Sequence, residues 1–300
     1  MALGKDQPKF IGLACINIVV ASNAGGAFSP FGDITTLMVW QRGVVNFWEF
    51  FHLFLPSVVN FAVPAAVMQF FVPRGMPSDI EKQSSGMRKG GGAIVFLFLF
   101  TVASTVALHT FFHIPPVFGM MMGLSYLKIY DYFLQQRNRR WTRFMRKVLQ
   151  TPDDPHKFSV FDSVAQAEWD TLFFFYGVIM AVGGLGFIGY LEWTSVFMYQ
   201  QLGPTTANIL VGFLSALIDN IPVMFAVLAM RPEMSHEQWL LVTLTAGVGG
   251  SMLSVGSAAG VALMGQARGH YTFMKHLRWT PIIALGFGAS ICTHIWINGL

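Results

Sequence analysis

Long apolar runs separated by short polar stretches divide the chain. The runs at about 47–72, 92–112, 115–134, 171–190 and 279–298 are each near or above the roughly 20 residues a helix needs to cross a bilayer. None alternates with the period of a barrel strand, and a helix satisfies its own backbone groups in lipid. The pattern therefore predicts an all-α polytopic membrane protein. Two more apolar segments, 10–41 and 236–265, are interrupted by glycine and hydroxyl residues, which predicts broken helices. A third, 203–230, is interrupted by Asp219-Asn220-Ile221-Pro222.

Composition agrees: 54% of residues are hydrophobic and 11% charged, against roughly 25% charged in ordinary soluble domains. The net charge of +4 comes from basic residues in short loops, which indicates topology and excludes nucleic acid as a partner. The positive-inside rule puts the loop at 137–147, with four arginines and a lysine after Arg137 and Asn138, in the cytoplasm. Counting spans backwards returns the basic stretch 73–91 to the same side and places the N-terminus inside. Counting forwards, the basic loop 266–278 is also cytoplasmic only if 203–230 dips into the membrane and returns as a re-entrant hairpin. Five regions follow: a broken helix at 1–45, scaffold-type spans at 46–134, a basic loop at 135–170, a linking span and outer segment at 171–202, and a second repeat at 203–300. Within the loop, 159–170 is expected to hold a short surface helix, and the glycine-rich 84–92 to be a linker without the Gly-Lys-Ser/Thr of a phosphate loop.

In this topology 10–41 and 236–265 run in opposite directions, yet they share a motif. Gly25-Gly26, five residues, Gly32, Asp33 matches Gly249-Gly250, five residues, Gly256, Ser257. Such inverted repeats build transporters around a midplane site. A broken helix frees carbonyls and amides, and Asn23, Ser29, Asp33, Thr35 and Thr36 add side-chain oxygens of the kind hard cations take. Asp219 and Asn220, with Ser254 and Ser257, form the second set. Asp33 and Asp219 are the two carboxylates expected well inside the membrane, where a charge marks an ion or proton path. A carboxylate in such a place can hold H⁺ or Na⁺ but disfavours both together, which is the basis of exchange.

Other features carry less chemistry. His109 and His113 have ligand spacing but no third partner and are expected at a membrane interface. Gly119 and Gly123 suit helix packing. Cys15 and Cys292 have no ligand spacing and are expected to be small core residues. No serine-hydrolase or zinc-protease motif occurs, so an enzyme is not expected.

The stretches NAGGAFSPFGDITTLMVWQ at 23–41, ALIDNIPVMFAVL at 216–228 and GGSMLSVGSAAGVALMGQARG at 249–269 resemble NhaD-type sodium/proton antiporters, members of a superfamily that includes dicarboxylate and arsenite carriers. The resemblance implies two repeats, each with a hairpin and a broken helix, in a homodimer of the bacterial inner membrane that exchanges Na⁺ or Li⁺ for H⁺ with no cofactor. It implies Asn23, Asp33, Thr35, Thr36, Asp219, Asn220, Ser254 and Ser257 as the ion site. It also implies an earlier hairpin with an Asp-Asn tip, for which this sequence leaves no room, so the chain is expected to be the C-terminal two-thirds of such an antiporter. An anion or metalloid carrier of the same superfamily, and a non-transporting membrane partner, are the alternatives.

Overall fold

Helix after helix follows from the apolar runs, each started or stopped by a local signal. The computed structural model describes residues 7–73, 91–149 and 169–300, and among these the regular structure is helical with no strand. The elements are α1 (Pro8–Ala27), α2 (Ile34–Gln41), α3 (Phe54–Met68), α4 (Gly91–Phe112), α5 (Pro116–Leu149), α6 (Trp169–Phe187), α7 (Tyr190–Ser195), α8 (Pro204–Leu217), α9 (Asn220–Met230), α10 (His236–Gly249), α11 (Ala258–Gln266), α12 (Phe273–Leu277) and α13 (Thr280–Asn298). Proline in the first turn starts α1, α8 and α13, where its missing N–H costs nothing.

Four stretches are long and apolar enough to cross a membrane: Pro8–Ala27, Glu49–Phe71, Gly91–Phe112 and Thr280–Asn298. A fifth candidate is the pair Leu172–Phe187 and Tyr190–Gln201, bent by 83°. Three of these coincide with the spans expected at 47–72, 92–112 and 279–298. The run at 171–190 differs, because the chain turns sharply at Gly189, whose φ of 80° is open to glycine and strained for other residues. The run at 115–134 also differs: it opens the 34-residue α5, where Lys128 and Asp131 dilute the apolar character. The basic stretch 137–147, expected as a loop, continues that helix through Leu149. The linker at 84–92 lies almost wholly, and the surface helix at 159–170 nearly so, outside the described residues.

The chain divides into two units, residues 1–81 with 173–300, and residues 82–172. In the first unit α10 is the central helix. Every residue from Gln238 to Gly249 is buried, as expected of a helix apolar on all sides. It packs against α1, α2, α3, α8, α9 and α13. Helix α3 runs antiparallel to α1, since Phe28 meets Phe54 at 5.2 Å between ring centroids and the Asn17 amide lies 3.2 Å from the Met68 sulfur. It is antiparallel to α13 as well, with Phe71 on Trp279 at 5.1 Å. Pro64 denies the Asn60 carbonyl its helical donor. Gly286 of α13 comes so close there that a Cβ would stand 2.6 Å from the Asn60 oxygen.

These contacts sort the ends. Residues 17, 68, 71 and 279 gather at one end of the unit. At the other, His236 pairs with Glu49 at 3.1 Å and the His294 ring meets the Glu237 carbonyl at 3.1 Å. Helix α1 thus enters from the first end and α10 from the second, so the two broken helices run in opposite directions. Thr205 and Asn208 at the start of α8 bond the Gln238 side chain at 2.7 and 2.8 Å, and Met234, just past α9, lies 3.7 Å from Asn208. The segment 203–230 therefore enters and leaves at the same end, as a re-entrant hairpin does.

In the second unit α4 and α5 lie together through Gly119 and Gly123, which face the side chains of Thr105 and Thr101. Of α4 only Thr105 is buried. Phe96, Phe98, Leu99 and Phe100 stand outward, the dress of a helix facing lipid. The His109 ring contacts the Ile114 carbonyl at 3.2 Å, and among the described residues no group of three or more metal-ligating side chains occurs. Cys15 is buried as expected; Cys292 is not, since its position on α13 faces outward.

Candidate ion site

The shared glycine motif builds the same turn twice. In the first break, Gly32 packs directly on the Gly26 carbonyl, and a Cβ on Gly26 would meet the Asp33 Cβ at 3.1 Å. In the second, Gly250 packs on the Gly256 carbonyl and a Cβ there would meet the Ser257 Cβ at 3.4 Å. Each break then ends on a residue that caps the next half-helix. Asp33 caps α2 by accepting from the Ile34 N–H at 2.7 Å, and its own N–H donates to the Thr36 hydroxyl at 3.3 Å, completing a capping box. Ser257 caps α11 through the Gly260 N–H at 3.4 Å.

The two repeats meet at these caps. The Asn220 amide donates to Asp33 Oδ2 at 2.7 Å, joining the hairpin tip to the first break, and the Thr35 hydroxyl donates to the same oxygen at 2.9 Å. The Asn23 amide donates to the Ser257 hydroxyl at 3.0 Å and to the Val19 carbonyl at 2.9 Å. The Thr36 hydroxyl is held by the carbonyls of Ser29 and Asp33, each at 2.8 Å. Asp219 is half-buried with Oδ1 unpartnered, and it directly precedes Asn220, whose amide holds Asp33. Asn23, Thr35, Thr36, Asn220, Ser254 and Ser257 are all buried.

Three half-helices, α2, α9 and α11, begin at Asp33, Asp219 and Ser257, so their positive ends converge, while α1, α8 and α10 end nearby. Of the eight residues singled out in the sequence, Asn23 lies inside α1 and reaches the second break through Ser257, and six of the others stand at these caps, the hairpin tip or the first turn of α2. Ser254 is the exception, in the turn of the second break, with its hydroxyl 3.5 Å from the Met264 sulfur. Two residues went unnoticed, Tyr271 and His276. They sit in the connector 267–278, whose basic character marked it only as a loop, and nothing in the local pattern distinguishes them.

The breaks differ in what covers them. Helix α8 lies over the second: Gly249 packs on the Gly212 carbonyl, a Cβ on Gly256 would stand 2.6 Å from the Ala216 carbonyl, and the Ser215 hydroxyl donates to Ala246 at 2.7 Å. The matching Gly25 of the first break meets nothing within 4 Å among the described residues, and Ser22, Gly25 and Gly32 are exposed.

Comparison with known proteins identifies the family. A family model described as a citrate transporter matches residues 1–249. The Na(+)/H(+) antiporter NhaD of Vibrio cholerae is 56% identical over 99% of this chain and 64% of its own length. That of Vibrio parahaemolyticus is 56% identical over 96% of this chain and 71% of its own. Sodium/proton antiporter 1 of Arabidopsis thaliana is 29% identical over 94% of the chain and 48% of its own length. The chain thus spans just under two thirds of most of its bacterial relatives, and no solved structure matches it. With inverted breaks, a re-entrant hairpin and identity above half along nearly its whole length, the chain belongs to the NhaD family of antiporters, within the wider group that the citrate-transporter model describes.

Proposed function

We propose that this chain carries the exchange site of a Na⁺ (or Li⁺)/H⁺ antiporter. The observation that carries the reading is the 2.7 Å contact of Asn220 with Asp33, which brings the hairpin tip of one repeat to the cap of the other beside a second carboxylate. Two carboxylates in one low-dielectric place favour a shared positive charge, which a proton or a cation can supply in turn. The amide oxygen of Asn23, the hydroxyls of Thr35, Thr36, Ser254 and Ser257 and the carbonyls of the breaks are oxygen donors suited to a hard cation. Hairpin and broken helices moving together against α3 and α13 would expose that site to either side.

The citrate-transporter model suggests a second reading, an organic anion. The converging helix N-termini would favour it, but that of α2 is already capped by the Asp33 carboxylate and that of α9 begins at Asp219, and no lysine or arginine among the described residues bonds to the site. The cation is therefore preferred. The test is to energise everted vesicles bearing the natural full-length gene product and add salts. Na⁺ or Li⁺ should dissipate the pH gradient while choline does not; a gradient dissipated only by citrate, or by none of these, overturns the reading.

The charge pattern supports a cytoplasmic N-terminus, and the resemblance to NhaD antiporters implies the bacterial inner membrane and a homodimer. The bare face at Ser22, Gly25 and Gly32 is the counterpart of the face that α8 covers on the second repeat. Since the bacterial relatives are longer, we place there a helix from the remainder of the full-length protein. Gly25→Leu should then lower the melting temperature of the full-length product in detergent and weaken Na⁺-dependent exchange. A face open to lipid would accept leucine with neither change.

A further inference from the structure

The connector between α11 and α13 reaches back into the second break, and the cation shell gives no reason for it. His276 has no exposed surface, and Tyr271 almost none. The His276 Nε2 lies 2.9 Å from the Ser251 carbonyl, and Nδ1 lies 2.7 Å from the Tyr271 hydroxyl. A carbonyl only accepts, so Nε2 bears the hydrogen, and Nδ1 then accepts from the tyrosine O–H. The Thr280 hydroxyl donates to the next carbonyl, Met252, at 2.8 Å.

The turn that follows α10 is therefore held from one side at two consecutive carbonyls, those of Ser251 and Met252. These two carbonyls, which follow the end of α10, each accept from one side-chain donor of the connector or of α13. Among the described residues the first break has no such brace; its Ser29 carbonyl is held by Thr36 from within the same break. We propose that His276, acting with Tyr271, is a positioning residue that fixes the second break so that Ser254 and Ser257 face the cation. This rests on the antiporter reading for its functional consequence, though not for the geometry it assigns.

Both groups are uncharged at neutral pH. Burial pushes the Tyr271 hydroxyl up, and burial likewise holds His276 below its ordinary 6.5. Tyr271 is the titratable group directly against the imidazole. Cys15 of α1 lies beyond Tyr271, and the neighbouring Lys275 turns its ammonium to the His270 and Gly269 carbonyls, at 2.8 and 3.3 Å. A histidine kept neutral in the fold stabilises it above the unfolded value, and that contribution is lost as pH falls below 6.5 towards the depressed folded value.

Two measurements on the natural full-length product test the assignment. The first is Na⁺-driven dissipation of the pH gradient. His276→Ala should raise the half-saturating Na⁺ concentration roughly tenfold, as loss of a residue that orients metal ligands does, with the maximal rate less affected. His276→Gln, whose amide donates and accepts in the same sense, should restore most of the affinity, and Tyr271→Phe should fall between. The second needs no transport. With Cys292→Ser as background, a cysteine placed by Ser254→Cys should react slowly with a polar maleimide and faster once His276→Ala is added. The melting temperature should also fall below pH 6.5 and be flatter with pH in His276→Gln. Equal labelling with and without His276 overturns the proposal whatever the exchange assay gives. If the parent protein exchanges no cation while the labelling difference holds, the antiporter reading fails and the brace stands.

Discussion

Asp33→Asn should lose Na⁺-dependent exchange, to less than about a tenth of the parent rate, while the protein accumulates and melts much as the parent does. The separation of the two outcomes follows from the double duty of this side chain. As a cap, Asp33 accepts from the Ile34 N–H and receives the Asn220 and Thr35 donors on its other oxygen. Asparagine caps a helix about as well as aspartate, so the start of α2 survives, whereas alanine there would cost about 1 kcal/mol. What asparagine cannot do is carry charge. With it the site loses one of the two carboxylates proposed to share a cation or proton. Asp33→Glu keeps the charge but moves it one methylene beyond the cap, so residual exchange with a raised Na⁺ requirement is expected. Asp219→Asn should be as inactive as Asp33→Asn. Gradient dissipation measured beside protein abundance decides it: if both asparagine variants exchange Na⁺ as the parent does, the carboxylates are not the exchanging groups.

The sequence was most readable where local chemistry dictates structure. A spanning run needs only length and apolarity, and the breaks announce themselves because glycine, proline and hydroxyl residues are costly in an uninterrupted membrane helix. Asp33 and Ser257 could be recognised from equivalent positions in one motif, and the structure gives both the same capping duty. The misreadings came from residues whose fate depends on distant partners. The stretch 137–147 is basic, which is a signal of side rather than of backbone, and it continues α5 as helix. The outer segment expected after the run at 171–190 is helical instead, set at 83° to that run across Gly189. His276 and Tyr271 gain their place only because Ser251, some 25 residues earlier, leaves a carbonyl unfilled. No local period encodes that.

The glycines of the motif should sort by what surrounds them, since every break glycine is the same residue in the sequence. Gly256→Ala should be the most damaging of a graded series. Its Cβ would stand 2.6 Å from the Ala216 carbonyl and 2.8 Å from those of Ser215 and Gly250. All three are backbone atoms of α8 or the break itself, so relief requires moving the hairpin arm off the break. Overpacking typically costs about 1–3 kcal/mol, and a clash with backbone on two sides belongs at the top of that range. Gly32→Ala belongs beside it, because its Cβ would enter the Gly26 carbonyl. Gly26→Ala should be milder, for its nearest neighbours, at 3.1 Å, are the Gly32 carbonyl and the Asp33 Cβ, and a few tenths of an ångström would accommodate it. That small shift would nonetheless move Asp33, so exchange should suffer more than stability. Gly288→Ala, in α13 with nothing within 4 Å, should melt like the parent or slightly higher, since alanine is the better helix former by about 1 kcal/mol. Melting temperatures in detergent, read beside Na⁺-dependent exchange, give the order. Were Gly256→Ala to melt like Gly288→Ala, the close packing of α8 on the second break would be wrong, and with it the inverted pairing of breaks from which the site is built.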